Sequence, residues 1–330
     1  MVLLKRIALM VFLMWAVVTA TFFLIRLIPG SPLKLQLLAF IQQGMSYAAA
    51  LKHVEILYHV NLHEPLIDQY FQYMAGLPQG KLGTSLLFPN DSIMGLIEQY
   101  LPWTVFTCTI AIVVSWIIGV VLGTIAAYRR GGWLDSIMTP GSSVLSSVPN
   151  FLVGTVLLFV FAVVLPWFPS QGAWNPVTTP GVNLPFLLSV LHHATLPIAS
   201  YVIAAFAGYL LLMKSNTVSV LNSDFIAGAR SHGIPESRIM LGYVAPNAIM
   251  PMVTNVVLSL AAHFGGSVLV ETIFTYPGIG YLFGQAALNS DYSLLQALFG
   301  LLAMIIIFGN FVADILYTRL DPRLTLEDVA

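Results

Sequence analysis

Apolar residues dominate this chain in six long runs, at 7–28, 103–128, 137–165, 191–213, 248–270 and 294–317. A helix crossing hydrocarbon needs about 20 mostly apolar residues. Only closed hydrogen-bonded structures survive in lipid, so each run predicts a spanning helix. The third run is long, and Pro140 and Pro149 predict a tilt or a break in it. Pro197 lies inside the fourth; neighbouring helices can satisfy the carbonyl it frees. The first run follows Lys5 and Arg6. It exceeds the roughly 7–15 apolar residues of a cleaved signal, and no small-x-small cleavage site precedes Arg26 and Pro29. It reads as a retained helix.

Between the runs lie four informative interruptions. In 29–101, residues 47–60 predict a short helix with Ala48, Leu51, Val54 and Leu57 on one face. Residues 65–73 predict another, led by Pro65. Gly76, Pro78, Gly80 and Gly83 mark turns. Together they predict a small helical subdomain on the bundle. It is either a structural cap or a surface that meets a delivering protein or shapes an entry gate. In 166–185, Trp167 and Trp174 suit a membrane interface. In 271–292 a Pro-Gly turn precedes a short apolar helix at 281–288. It is too short to span and reads as re-entrant or interfacial.

The remaining interruption, 224–251, is polar where its neighbours are apolar, with Asp224, Arg230, His232, Glu236, Ser237 and Arg238. It cannot sit in lipid, so an aqueous partner must meet it. Ser223 or Asp224 can cap a helix. Ala227, Gly228 and Ala229 make one side of that helix small. Gly233 ends it where a left-handed conformation is easy. Pro235 starts a second helix with Glu236 in its first turn and Arg238 after it. The prediction is a helix–Gly–helix elbow at 223–246.

Composition agrees. Of 330 residues, 58% are hydrophobic and 8% charged, and mean hydropathy is +0.87. A soluble domain carries roughly 25% charge, so this is a multi-spanning membrane protein. The single cysteine, Cys108, excludes a disulfide framework and reads as a small filler. A net charge of −1 gives no basic field for nucleic acid. With a cytoplasmic N-terminus, nine of the 13 Lys and Arg fall inside, among them Arg129 and Arg130. The positive-inside rule therefore predicts both termini in the cytoplasm.

The elbow resembles the "EAA" coupling loop of binding-protein-dependent ABC importers: Ala227, Gly228 and Ala229 take the small triplet, and Gly233 the later glycine. Pro246 takes the later proline, while Tyr243 and Ala245 replace aliphatic residues and Ala227 stands where glutamate is usual. The whole chain is more similar to the B-type permease subunit of oligopeptide, dipeptide and nickel importers. Asp224, Phe225, Ala229, Arg230 and Gly233 match that loop, as do Asn247, Ala248, Ile249 and Pro251. So do Arg26 to Pro32, Leu82 to Ser85, Arg129-Arg130-Gly131 with Asp135, Val148 to Phe151, Glu271 to Phe274 with Tyr276 to Gly280, and Leu320 to Arg323.

The resemblance implies an all-α membrane protein of the type I ABC importer fold, with six transmembrane helices. Residues 1–96 would form the first helix and an extracytoplasmic subdomain, and 97–330 the transport core. A cytoplasmic ATPase subunit, one or two per transporter, would dock on Asp224, Phe225, Ala229, Arg230, Gly233, Glu236 and Arg238. ATP and magnesium would bind that partner, with no cofactor or metal on this chain. A C-type permease subunit would supply the other half of the pathway, and a binding protein would deliver cargo. The cargo is expected to be peptide; oligosaccharide or nickel are the alternatives. Relatives often carry two basic residues ending the fourth helix; Lys214 matches one, but Leu211 stands at the other.

The chain lacks a phosphate-cradling Gly-x4-Gly-Lys-Ser/Thr, since Gly80-Lys81 is followed by Leu82. Asn255 and His263 in the fifth run, with Glu271, are candidates to line a pathway, or to bond between helices. Asp314 is expected to pair with Arg319 or another partner. His192 and His193, adjacent on a helix, read as interfacial hydrogen bonders. Gly119 and Gly123 form a helix-packing signal. A secondary transporter would show midplane charges and inverted repeats. An intramembrane hydrolase would need a pair such as Ser259 with His263.

Overall fold

A computed structural model describes residues 2–27, 37–38, 40–58, 65–85, 87–88, 91–266 and 268–320. Among these, the structure is helical apart from turns, irregular connections such as 165–183 and one isolated bridge between Thr84 and Ser92. Helix α1 is Val2–Leu27; α2 and α3 are the short helices Tyr47–Tyr58 and Leu66–Gly76. Next come α4 (Ile93–Tyr128), α5 (Trp133–Leu145) and α6 (Asn150–Leu157, continued as a π-helix over Leu158–Val164). Helix α7 is Leu184–Leu221, α8 Asp224–Ser231 and α9 Glu236–Ile239. After a π-turn at Met240–Val244 follow α10 (Ala245–Gly266), α11 (Val268–Ile273), α12 (Ile279–Leu288) and α13 (Tyr292–Leu320).

Four described helices are long and apolar enough to cross a membrane: Leu4–Leu27, Ile93–Tyr128, Leu184–Leu221 and Tyr292–Ile315. A fifth span forms if α5 and α6, which meet at 100°, count as one. That bend falls at 146–149, so the third run breaks ahead of Pro149, whereas Pro140 lies inside α5. Pro149 precedes the first residue of α6, where its missing N–H costs nothing. The run at 248–270 is divided between α10 and α11.

The fold forms two compact units, Met1–Thr104 with Pro277–Phe308, and Val105–Tyr276 with Gly309–Ala330. In the first, α3 packs on α1. Trp15 Nε1 donates to the Tyr70 hydroxyl at 2.9 Å, Thr19 shares that hydroxyl, and Phe22 meets the Tyr70 ring edge-on. Arg26 lies over Phe22 and donates to Gln296 Oε1 at 2.9 Å, so a cation at the end of an apolar helix is paired twice. Residues 28–32 of the Arg26 to Pro32 motif lie outside the described residues, as do 321–323. The face that α2 buries is Ala50 and Val54, with Leu51 beside them, against Leu37. Ala48, expected on that face, is exposed, and the Leu57 side chain lies outside the described residues.

Also in this unit, α12 buries one face in the chain's own core. Ile279, Leu282 and Ala286 pack with Ile93, Leu96, Leu294 and Leu298. The Thr104 hydroxyl accepts the Ile279 N–H at 2.8 Å and satisfies one free donor of α12. Ser85 donates at 2.6 Å to Asp291, whose other oxygen accepts the Leu294 N–H in the first turn of α13. The Leu-Gly-x-Ser motif thus ends on the carboxylate that caps α13.

In the second unit, α4 crosses α7 where α4 is smallest. A Cβ at Gly119 would sit 2.4 Å from the Tyr209 Cβ, and one at Gly123 would sit 2.6 Å from the Leu210 carbonyl oxygen. The two glycines let the backbones approach, as their spacing predicts. Tyr209 and Met213 of α7 continue the contact onto Ala248 and Met252 of α10. The Asn216 side chain donates to the Ala248 carbonyl at 3.3 Å. The two helices that flank the elbow are therefore packed on each other.

Candidate functional site

The elbow is built from a helix, a left-handed residue and a second helix. Ser223 takes the extended N-cap backbone of α8 but does not cap it; its hydroxyl donates to the Val220 carbonyl. Asp224 instead sits in the first turn, where a negative charge offsets the helix dipole. Helix α8 ends at Ser231, and Gly233 has φ +71°. The Gly233 N–H donates to Arg230 O at 3.0 Å, and the Ile234 N–H to Ala229 O at 3.3 Å. These two bonds form a Schellman motif, with the apolar contact of Ile234 on Ala229's side. Pro235 then sets the extended residue from which α9 starts, as predicted.

One face of the elbow is glued down. Ile226, Ala229, Ile239 and Val244 are buried together, with Tyr128, Val220, Leu221 and Ile234 around them. Burying a side chain of Ile226's size stabilises by roughly 2 kcal/mol. Its opposite face is free. Asp224, Phe225, Arg230, Gly233, Glu236 and Arg238 are all exposed. Phe225 is 49% exposed on a polar helix. Ala229 departs from expectation: it is 7% exposed and faces the chain's own core, so it cannot present a docking surface. Its small size serves internal packing. Gly228 has nothing within 4 Å of where a Cβ would stand, so on this side the small triplet leaves open room.

Charge braces the bend. Arg230 Nε donates to Glu236 Oε1 at 2.6 Å, and Nη2 lies 3.4 Å from Oε2. The hydrogen bond from Arg230 lowers the Glu236 carboxyl from its usual value and raises the guanidinium. Both side chains remain about half exposed.

The other expected residues fall elsewhere in the second unit. Ser259 donates to Asn255 Oδ1 at 3.4 Å, and His263 Nδ1 bonds the Ser259 carbonyl at 2.8 Å. Asn255, Ser259 and His263 therefore make a polar stripe one turn apart along α10, and the His263 ring lies near Tyr201. His263 meets the Ser259 backbone and not its hydroxyl, so the two do not form a nucleophile–base pair. Glu271 lies within α11, at 1% exposure, rather than opening the segment that follows. Tyr276 N–H closes that turn onto the Glu271 carbonyl at 2.8 Å. His192 and His193 each bond a backbone carbonyl, of Trp167 and Ser189. The Arg319 side chain lies outside the described residues, and with it the pairing expected with Asp314. Among the described residues no group of three His, Cys, Asp or Glu could hold a metal.

Lys214 and Asp135 stand in separate motifs of the sequence, 79 residues apart, and the fold pairs them. Lys214 forms an ion pair with Asp135 and donates to Thr139 Oγ1 at 2.7 Å. A lone lysine in an apolar run needs a partner, and that need was the available signal.

Residues 119–326 match the family of binding-protein-dependent transport system inner membrane components. The chain is 33% identical over 311 residues to the oligopeptide transport system permease protein OppB of Haemophilus influenzae, covering 94% of each chain. It is 32% identical over 311 residues to the dipeptide transport system permease protein DppB of Bacillus subtilis, covering 94% of this chain and 93% of that one. It is 31% identical over 305 residues to the Bacillus subtilis oligopeptide permease protein AppB, covering 92% of each. Among solved structures, an inward-facing MetNI methionine ABC transporter matches with TM-score 0.54 at 14% identity, over 68% of this chain and 96% of that one. That likeness places the fold among ABC importer membrane subunits. With the match running through the elbow and both helices that flank it, the chain belongs to the binding-protein-dependent transport system inner membrane component family.

Proposed function

We propose that this chain is the permease subunit of an ATP-driven, binding-protein-dependent importer of peptides, and that a cytoplasmic ATPase subunit docks on the elbow at 223–246. The observation that carries the docking is the elbow's two-sidedness. One face is buried in the chain's own core, while the other offers Phe225 and fixed charges. Membership of the family and the peptide permeases among its relatives support the cargo.

In this reading both termini are cytoplasmic, and α2 and α3 belong to an extracytoplasmic subdomain. Residues 97–330 form the transport core. ATP and magnesium bind the ATPase subunits, whose closure pushes the elbow. A C-type permease supplies the second half of the pathway, and the polar stripe of Asn255 and His263 lines this half. Glu271, 1% exposed, gives its backbone carbonyl to the turn at 271–276.

The test is reconstitution in proteoliposomes with the cognate second permease, ATPase and binding protein. ATP-dependent accumulation of radiolabelled trialanine, lost when either the ATPase or the binding protein is omitted, is the expected result. Accumulation driven by an ion gradient without the ATPase would overturn the mechanism. Oligosaccharide or nickel held by the binding protein, with no peptide binding, would overturn the cargo.

A further inference from the structure

Asp135 is the third residue of α5, and its side chain is 11% exposed. It accepts the Gly131 N–H at 3.1 Å, the Thr139 hydroxyl at 2.7 Å and the Lys214 ammonium. Lys214, 17% exposed, reaches both Asp135 and Thr139, so three side chains close a triangle between α5 and α7. Lys214 lies two turns before α7 ends at Leu221, and α8 begins at Asp224. Asp135 lies on the helix that leads through the 100° bend into α6. The triangle therefore ties the helix that carries the elbow to the bent pair.

A partly buried ion pair is weak evidence for stability, because desolvation offsets much of its attraction. What it does supply is fixed geometry. Apolar helix contacts are non-directional and supply no bond of fixed orientation. An ammonium held by two oxygens, on a carboxylate that is itself held by a backbone N–H, resists sliding. We propose that Lys214 and Asp135 form a strut that passes displacement of the elbow from α7 into the α5–α6 pair. They are positioning residues for coupling ATP hydrolysis to transport. This rests on the function proposed above. It also gives Lys214 a partner within the chain.

The test uses the reconstituted transporter and reads trialanine accumulated per ATP hydrolysed. The informative variant is Lys214→Met with Asp135→Asn, which removes both charges and leaves neither ion unpaired. It is expected to co-purify with the ATPase subunits and hydrolyse ATP, with transport per ATP lowered about tenfold. The exchanged pair, Lys214→Asp with Asp135→Lys, is expected to regain most of the ratio, which a merely space-filling role would not predict. An unchanged ratio in the neutral double variant, or no recovery in the exchanged pair, would overturn the strut. Absence of ATP-dependent transport in the unaltered protein would instead overturn the function on which it rests.

Discussion

Arg230 and Glu236 stand on opposite sides of the bend at Gly233 and close it with two contacts, at 2.6 and 3.4 Å. A guanidinium meeting a carboxylate through its fork fixes direction as well as distance, so the pair sets the angle between α8 and α9. Glu236→Gln should raise deuterium exchange of the amides at 230–239 and lower recovery of the ATPase subunit. The loss should be no more than about fivefold, because exposed pairs contribute little. The folded Glu236 carboxyl titrates below its ordinary 4.5. The brace is therefore fully present above that value and lost as pH falls through the lowered one. Exchange, corrected for its intrinsic rate, should be flat from neutral to mildly acidic pH and rise only in strong acid. A flat profile in strong acid, or none of these changes in Glu236→Gln, would show the brace to be idle.

Gly233 carries two demands at once. Its φ of +71° disfavours any side chain, although a Cβ there would touch nothing within 4 Å. Its N–H is one of the two bonds of the Schellman turn. Gly233→Ala meets only the first demand badly and should cost about 1 kcal/mol. Gly233→Pro fails both, and uptake should vanish while the protein still reaches the membrane. Immunoblotting of membranes beside whole-cell peptide uptake separates the two; uptake at the unaltered rate in Gly233→Pro would remove the elbow from the mechanism.

Phe225 and Ala229 lie four residues apart on α8 and should fail differently. Phe225→Ala deletes an exposed ring and should weaken association with the ATPase subunit while leaving thermal stability unchanged. Ala229→Trp forces a large ring into the cluster of Ile226, Ile239 and Val244. Overpacking costs about 1–3 kcal/mol, so its melting temperature should fall. Fluorescence thermal shift and co-purification, read together, check the assignment; equal melting temperatures would place Ala229 on the surface.

The parts of this molecule that were legible in the sequence are those governed by local rules. The elbow was readable because Gly233, Pro235 and the charges around them act over one or two turns. The break near Pro149 was readable for the same reason. What sequence left open depends on partners far along the chain. Nothing near Ser85 names Asp291, and nothing near Lys214 names Asp135. Periodicity marked one face of α2 as apolar, yet the buried face is turned toward Ala50 because Leu37 supplies the contact there. Ala229 shows the same limit. A small residue predicts close approach, and only the fold says whether the approaching group is a partner or the chain itself.

The crossing of α4 and α7 offers the sharpest stability test. A methyl at Gly123 would meet the Leu210 carbonyl oxygen at 2.6 Å and the Met213 Cβ at 2.8 Å. One at Gly119 would meet the Tyr209 Cβ at 2.4 Å. Backbone and Cβ atoms cannot swing aside as the end of a long side chain can, so the helices must separate. Gly119→Ala and Gly123→Ala should each destabilise by about 1–3 kcal/mol, seen as a lower melting temperature in detergent. Gly208, on α7 itself, has nothing within 4 Å of its would-be Cβ. Gly208→Ala should therefore leave stability unchanged or raise it, since alanine is the better helix former. The contrast separates close crossing from a general cost of adding a methyl to these helices. If all three variants melt together, the glycines on α4 are not what brings the two helices into contact.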